Sequence, residues 1–112
     1  MKILIVDDEA LVRIGLKHMI DWNANGFFIV GEASNGKSAL EQIEKHAPDI
    51  VITDIKMPVM NGIELIRSAR ANGFQGKFVV ISVLDDFDNV KEAMKAGASD
   101  YFLKFEMNDE KY

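Results

Sequence analysis

Five short apolar runs recur along this chain, and their spacing restricts its fold more than any other feature. They are Ile3–Val6, Phe27–Val30, Ile50–Thr53, Phe78–Ser82 and Tyr101–Leu103. β-Branched and aromatic residues dominate them and do not alternate with polar ones, which is how parallel strands covered on both faces read. The stretches between have helical period. Ala39, Leu40, Ile43 and Ala47 share one face, as do Val90, Ala93, Met94 and Gly97, and Ile63, Ile66 and Ala69 mark a third helix. Leu11–Ile20 is apolar almost all round, so the pattern leaves its buried face undefined. Asn-Gly pairs at 25–26, 35–36, 61–62 and 72–73 fall between elements, Pro48 closes one helix and Pro58 follows the third strand. Strand and helix alternating five times predict an open, parallel α/β sheet with right-handed crossovers. A last helix is barely begun at Asn108–Tyr112. No repeat or flexible linker divides the 112 residues, so 1–112 is read as one domain.

In such a sheet ligands bind beyond the carboxyl ends of the strands. The first strand delivers Asp7 and Asp8 there, the third Asp54, the fourth Ser82 and the fifth Lys104. Three carboxylates side by side call for a counter-charge. A hard divalent cation provides one, and magnesium suits few carboxylates, retained waters and a phosphoryl oxygen. A carboxylate in such a site can attack phosphorus and form an acyl phosphate. The transferred group then needs a cation and a hydroxyl on its equatorial oxygens, and Lys104 and Ser82 are of those types. Each residue alone has an ordinary explanation. Asp7, Asp8 or Glu9 could cap the first helix, Asp54 could be a turn residue, and Ser82 and Lys104 could face solvent. Convergence from four strand ends on one crevice outweighs those separate explanations.

A second motif competes. Gly31-Glu32-Ala33-Ser34-Asn35-Gly36-Lys37-Ser38 fits the phosphate-loop pattern G-x-x-x-x-G-K-[ST]. A nucleotide-hydrolysing reading leaves Asp7, Asp8, Ser82 and Lys104 idle, and it places the charge of Glu32 inside a supposed anion cradle. Gly31–Ser38 is therefore expected to be the loop from the second strand into the second helix, with Gly36 a turn glycine before the helix and Lys37 and Ser38 on its first turn. Composition narrows the rest. A net charge of −5 disfavours nucleic acid and anionic membranes as direct partners. The absence of cysteine excludes disulfides and thiolate metal sites and makes a reducing cytoplasm the expected compartment. His18 and His46 fall on helices without metal-ligand partners.

The chain resembles the receiver domain of bacterial two-component response regulators over its whole length. The residues that carry the match are ILIVDDEALVR, GEASNGKSALE, PDIVITDIKMPVMNGIELI, VVIS and KEAMKAGASDYFLK. The third is the most specific, an apolar strand followed by Asp, two residues, Met-Pro and then Asn-Gly. The resemblance implies a flavodoxin-like doubly wound fold with strand order 2-1-3-4-5. It implies Asp54 as phosphoacceptor and Asp7, Asp8, Asp54 and the backbone carbonyl of Lys56 as magnesium ligands, with manganese as the alternative ion. It further implies Lys104 as the phosphate-binding lysine, Ser82 as the switch hydroxyl and Tyr101 as the switch aromatic. The expected function is to accept a phosphoryl group from a sensor histidine kinase and change conformation, a signalling switch rather than a turnover enzyme. A homodimer through the face of the fourth helix, fifth strand and fifth helix is expected. MIDWNANGF is similar to the subset of regulators with a C-terminal AraC-type DNA-binding domain, so the chain is expected to be the N-terminal part of a longer transcription regulator.

Two positions depart from the family pattern. Val83 follows Ser82 where alanine or glycine is usual, and it is read either as an access gate or as a residue packed sideways on the fourth helix that gates nothing. Phe105 follows Lys104 where a cis proline is usual, and a cis bond before a non-proline residue costs about 2.5–4 kcal/mol. A trans bond is expected. Two other readings are weaker. A magnesium-dependent phosphatase of related fold would want an acid where Lys56 stands, together with a substrate-covering cap. An interaction module that is never phosphorylated would not need the intact acidic set.

Overall fold

The computed structural model describes residues 1–19, 21–83 and 86–103. In chain order these form β1 (Lys2–Val6), α1 (Ala10–Met19), a short 3-10 turn (Asn23–Asn25), β2 (Phe28–Ala33), α2 (Gly36–His46), β3 (Ile50–Asp54), α3 (Gly62–Ala71), β4 (Lys77–Ser82), α4 (Phe87–Ala96) and β5 (Asp100–Leu103). The five strands pair in parallel in the order β2-β1-β3-β4-β5. Lys104, Phe105 and the expected last helix at 108–112 lie outside the described residues, and so does the Lys104–Phe105 peptide.

The unbroken apolar runs have a simple cause. Successive side chains of a strand point to opposite faces, and both faces of this sheet are packed. Leu4, Val6, Val51, Phe78 and Val80 meet Ala39 and Ile43 of α2, Leu65, Ile66 and Ala69 of α3, and Val90 and Ala93 of α4. On the other face Ile3, Ile5, Ile52 and Ile81 meet Leu16 of α1. α1 thus buries one residue fully, while Leu11 is 82% exposed and Ile14 is also exposed, which settles the face its sequence left open. Trp22 packs at the edge of this second cluster, edge-on to Phe27 at 6.2 Å, with its indole N–H donating to the carbonyl of Leu16. It is a packing residue of that loop.

Local chemistry sets the boundaries. Asn35 caps α2 by accepting from the N–H of Ser38. Asn61 and Glu64 form a reciprocal capping box at the start of α3. At the opposite end of the sheet the Arg70 guanidinium donates to the carbonyls of Phe74, Gly76 and Gly97 and lies 5.1 Å from the ring centroid of Phe78.

The stretch Gly31–Ser38 corrects the sequence reading. Gly31, Glu32 and Ala33 are not loop but the last three residues of β2, and only Ser34 and Asn35 connect it to α2. Gly36 is the first residue of the helix rather than a turn glycine. Its N–H donates to the carbonyl of Met60 at 2.8 Å, and a β-carbon there would sit 2.5 Å from that oxygen. Gly36 therefore serves a close approach between α2 and the β3–α3 loop, not a phosphate cradle.

Candidate functional site

The sheet order sets β1 and β3 side by side at its centre, so the residues that end them are neighbours. Asp7 follows β1, fully buried, and Asp8 follows it in an exposed position. The Asp7 N–H donates to the carbonyl of Ala33 at 3.0 Å, and Asp7 Oδ1 accepts the N–H of Glu9 at 2.9 Å, which anchors the start of α1. Asp54 ends β3 and is 6% exposed. Its Oδ1 accepts the N–H of Ile55 at 2.7 Å, and its carbonyl accepts the hydroxyl of Thr53 at 2.8 Å. Carboxylate oxygens of Asp7, Asp8, Glu9 and Asp54 all lie within 4.8 Å of one another.

Four carboxylates so close, two of them buried, form a strongly negative pocket. Every donor is oxygen, which selects hard cations over zinc or copper. The donor set fits magnesium. Glu9 belongs to the cluster although the sequence reading treated it only as a helix cap. Its position directly after two acids at a strand end was the available signal.

Ser82 ends β4 beside β3 and is buried. Among the described residues its Oγ has no hydrogen-bond partner. A buried hydroxyl without a partner costs about 1–3 kcal/mol, a cost that an acceptor oxygen in the crevice would remove. Val83 follows it and is 44% exposed. Tyr101 lies on β5 and is 45% exposed. Lys56 is exposed in the β3–α3 loop. With Asp8, Met57, Asn61 and Asn89 it lines an open cleft of about 440 Å³ beside the acids. The structure therefore brings Asp7, Asp8, Glu9 and Asp54 together and sets Ser82 on the adjoining strand end. Lys104 lies outside the described residues.

The model for the response regulator receiver domain matches residues 3–110, and the chain belongs to that family. YesN of Bacillus subtilis, an uncharacterized transcriptional regulatory protein, is 44% identical over 103 residues, which are 92% of this chain and 28% of YesN. The chain thus spans little more than a quarter of that relative. Among solved structures, the REC domain of AraT, a response regulator from Geobacillus stearothermophilus, superposes with a TM-score of 0.85 at 34% identity, over 97% of this chain and 88% of the other. A chain of the CheX–CheY–BeF3–Mg2+ complex from Borrelia burgdorferi superposes with a TM-score of 0.82 at 28% identity, over 92% of this chain and 77% of the other. The fold, strand order and family expected from the sequence are borne out. Among the described residues no helix is long and apolar enough to cross a membrane.

Proposed function

We propose that this receiver domain accepts a phosphoryl group on Asp54 from the phosphohistidine of a partner kinase, with magnesium at the acidic cluster, and so switches an output. The observation that carries the reading is the approach of Asp54, buried at the end of the central strand, to within 4.8 Å of three further carboxylates. Asp7 and Asp8, with the carbonyl of Lys56, would hold the ion. When bound, magnesium (or manganese) offsets the charge of the carboxylates and of the phosphoryl oxygens.

The residues of the chain do the rest. The bond from the Ile55 N–H fixes the Asp54 carboxylate for in-line attack. A bond forms from an Asp54 oxygen to phosphorus as the phosphorus–nitrogen bond to the kinase imidazole breaks, and the imidazole leaves carrying its proton. The buried hydroxyl of Ser82 donates to one equatorial oxygen, and Lys104 supplies a cation to another. Slow attack by water on the acyl phosphate resets the domain.

Drawing Ser82 toward the phosphoryl group would open space for Tyr101. The shifted face, formed by α4, β5 and the helix expected after them, would favour pairing of two copies. The shift has to come from bonds available only in the phosphorylated state. In a longer regulator resembling YesN, the readout would be transcription through a C-terminal DNA-binding domain. The receiver itself, with its net charge of −5, would not contact DNA.

The test is mass spectrometry after incubation with acetyl phosphate and magnesium. One phosphoryl adduct should form, chelation should prevent it, and Asp54→Asn should abolish it while the protein stays folded. Labelling of the Asn variant would overturn the assignment.

A further inference from the structure

Beside the acidic cluster lies an ion-pair chain that the phosphoryl chemistry does not use. Arg13 on α1 donates from Nε to Glu32 Oε1 at 3.0 Å, and Lys17, one turn on, donates to Glu32 Oε2 at 2.7 Å. Glu32 is the acid inside the false phosphate loop, and it lies on β2 at the edge of the sheet. Its own carbonyl is held by the side chain of Gln42 on α2 at 2.7 Å. The second arm of Arg13 reaches the other way, since Nη1 donates to the backbone carbonyl of Asp7 at 2.5 Å.

We infer that Arg13 is a positioning residue for the metal site, clamped by Glu32 so that its guanidinium fixes the Asp7–Asp8 peptide. This rests on the reading of Asp7 and Asp8 as ion ligands. The Asp7 carbonyl and the Asp8 N–H belong to one rigid peptide plane. Holding that oxygen sets the plane, and with it the direction in which Asp8 leaves the strand. The Asp7 N–H is already tied to Ala33. Arg13 therefore adds a side-chain restraint from α1 at the point where the chain passes from β1 to the exposed acid. The planar guanidinium presents its Nε–H and Nη1–H donors in a rigid fork that reaches a carboxylate and a carbonyl on different elements, whereas a lysine would bring both acceptors to one rotating ammonium. Residues that orient metal ligands typically change affinity about 10–100-fold when removed. Glu32 keeps the fork from turning away, and Lys17 restrains Glu32 without touching Asp7.

The experiment measures magnesium affinity of the chain by titration calorimetry, with the thermal midpoint of the metal-free protein recorded in parallel. Arg13→Gln should weaken binding about tenfold, and Arg13→Lys at least threefold, because a lysine keeps the charge but not the fork. Glu32→Gln should weaken binding in the same direction, and Arg13→Gln with Glu32→Gln should be no weaker than Arg13→Gln alone. Lys17→Gln removes an equal charge from the same helix and should stay within twofold of the parent. If Arg13→Gln does not fold, Arg13→Lys carries the test. Unchanged affinity in folded Arg13 variants, or an equal loss in Lys17→Gln, overturns the positioning role while leaving the acidic site standing. Failure of the parent itself to bind magnesium overturns the site, and this inference with it.

Discussion

Gly62 approaches Asp54 so closely that a side chain at 62 would overlap the Asp54 carbonyl oxygen and come 3.0 Å from the Cα of Ile55. The Gly62 N–H in turn donates to the Ile55 carbonyl at 2.7 Å. The first residue of α3 is thus seated on the backbone of Asp54, and the box formed by Asn61 and Glu64 fixes where that helix begins.

The consequence is that Gly62→Ala has to push α3 away from β3 or twist the Asp54 peptide. Alanine gains at most about 1 kcal/mol of helix propensity over glycine. Overpacking against backbone that cannot swing aside costs about 1–3 kcal/mol, so the clash wins. Denaturant unfolding should show Gly62→Ala less stable by about 1–2 kcal/mol. Its phosphorylation by acetyl phosphate should be slower than that of the parent at saturating magnesium, because the carboxylate no longer points along the same line. Equal stability and equal rate would mean that the helix start yields without disturbing Asp54.

The sequence exposed the sheet because both faces are packed and the strands are therefore continuously apolar. It exposed the acids because the ends of β1 and β3 can be read as sharply as the strands themselves. The end of β2 was hidden. Glycine and glutamate at 31 and 32 resemble a turn locally. What keeps them in a strand is remote: Arg13 and Lys17 neutralise Glu32, and Gln42 occupies the space beside Gly31. The buried face of α1 was hidden for a related reason. Leu11 and Ile14 are as apolar as Leu16, and only the packing partner decides which of them is covered. Glu9's place in the acidic cluster was hidden because an acid after a strand reads first as a cap, and its distance to Asp54 depends on how β1 and β3 pair.

The ion-pair chain predicts an acid-dependent stability. The Glu32 carboxyl is held below its usual range, first by the hydrogen bond from Lys17; burial opposes this, and Arg13 adds to the lowering. A depressed folded value means that the stabilisation is present above the ordinary glutamate range and is lost as pH falls through the lower folded value. Glu32 is one-third exposed, so solvent screens the pair and its worth is about 1 kcal/mol or less. Glu32→Gln should therefore narrow the stability difference between pH 7 and pH 3 relative to the parent. Other carboxylates are common to both proteins and cancel in the comparison. An unchanged difference would show that the ion pair contributes nothing to the fold.

Val83 bears on rate rather than stability. It stands one residue beyond the buried Ser82 and is 44% exposed; as an access gate it would narrow the entry of a donor or a hydrolytic water. A side chain branched at Cβ has few rotamers into which it can swing aside, and a misplacement of about 1 Å can cost a hundredfold in rate. Val83→Ala should speed both phosphorylation by acetyl phosphate and loss of the acyl phosphate. Rates within about twofold of the parent, or about 0.4 kcal/mol of barrier, would show that no gate exists.

Val59 carries the backbone strain of the β3–α3 loop. Its φ is +70°, in the left-handed region, and the N–H of Met60 closes a tight turn onto the carbonyl of Pro58 at 2.7 Å. The left-handed region costs an L-residue about 1–2 kcal/mol, and a β-branched side chain is among the least suited to it. Burial returns nothing, since Val59 is 77% exposed. Glycine removes the steric cost but adds about 0.4–1 kcal/mol of conformational freedom to the unfolded chain. The difference favours the variant. Val59→Gly should raise stability by about 0.5–1 kcal/mol in denaturant unfolding. Val59→Asn should also gain, because asparagine tolerates the left-handed region and loosens the unfolded chain less than glycine does. A loss of stability in both variants would show that the turn holds Val59 without strain.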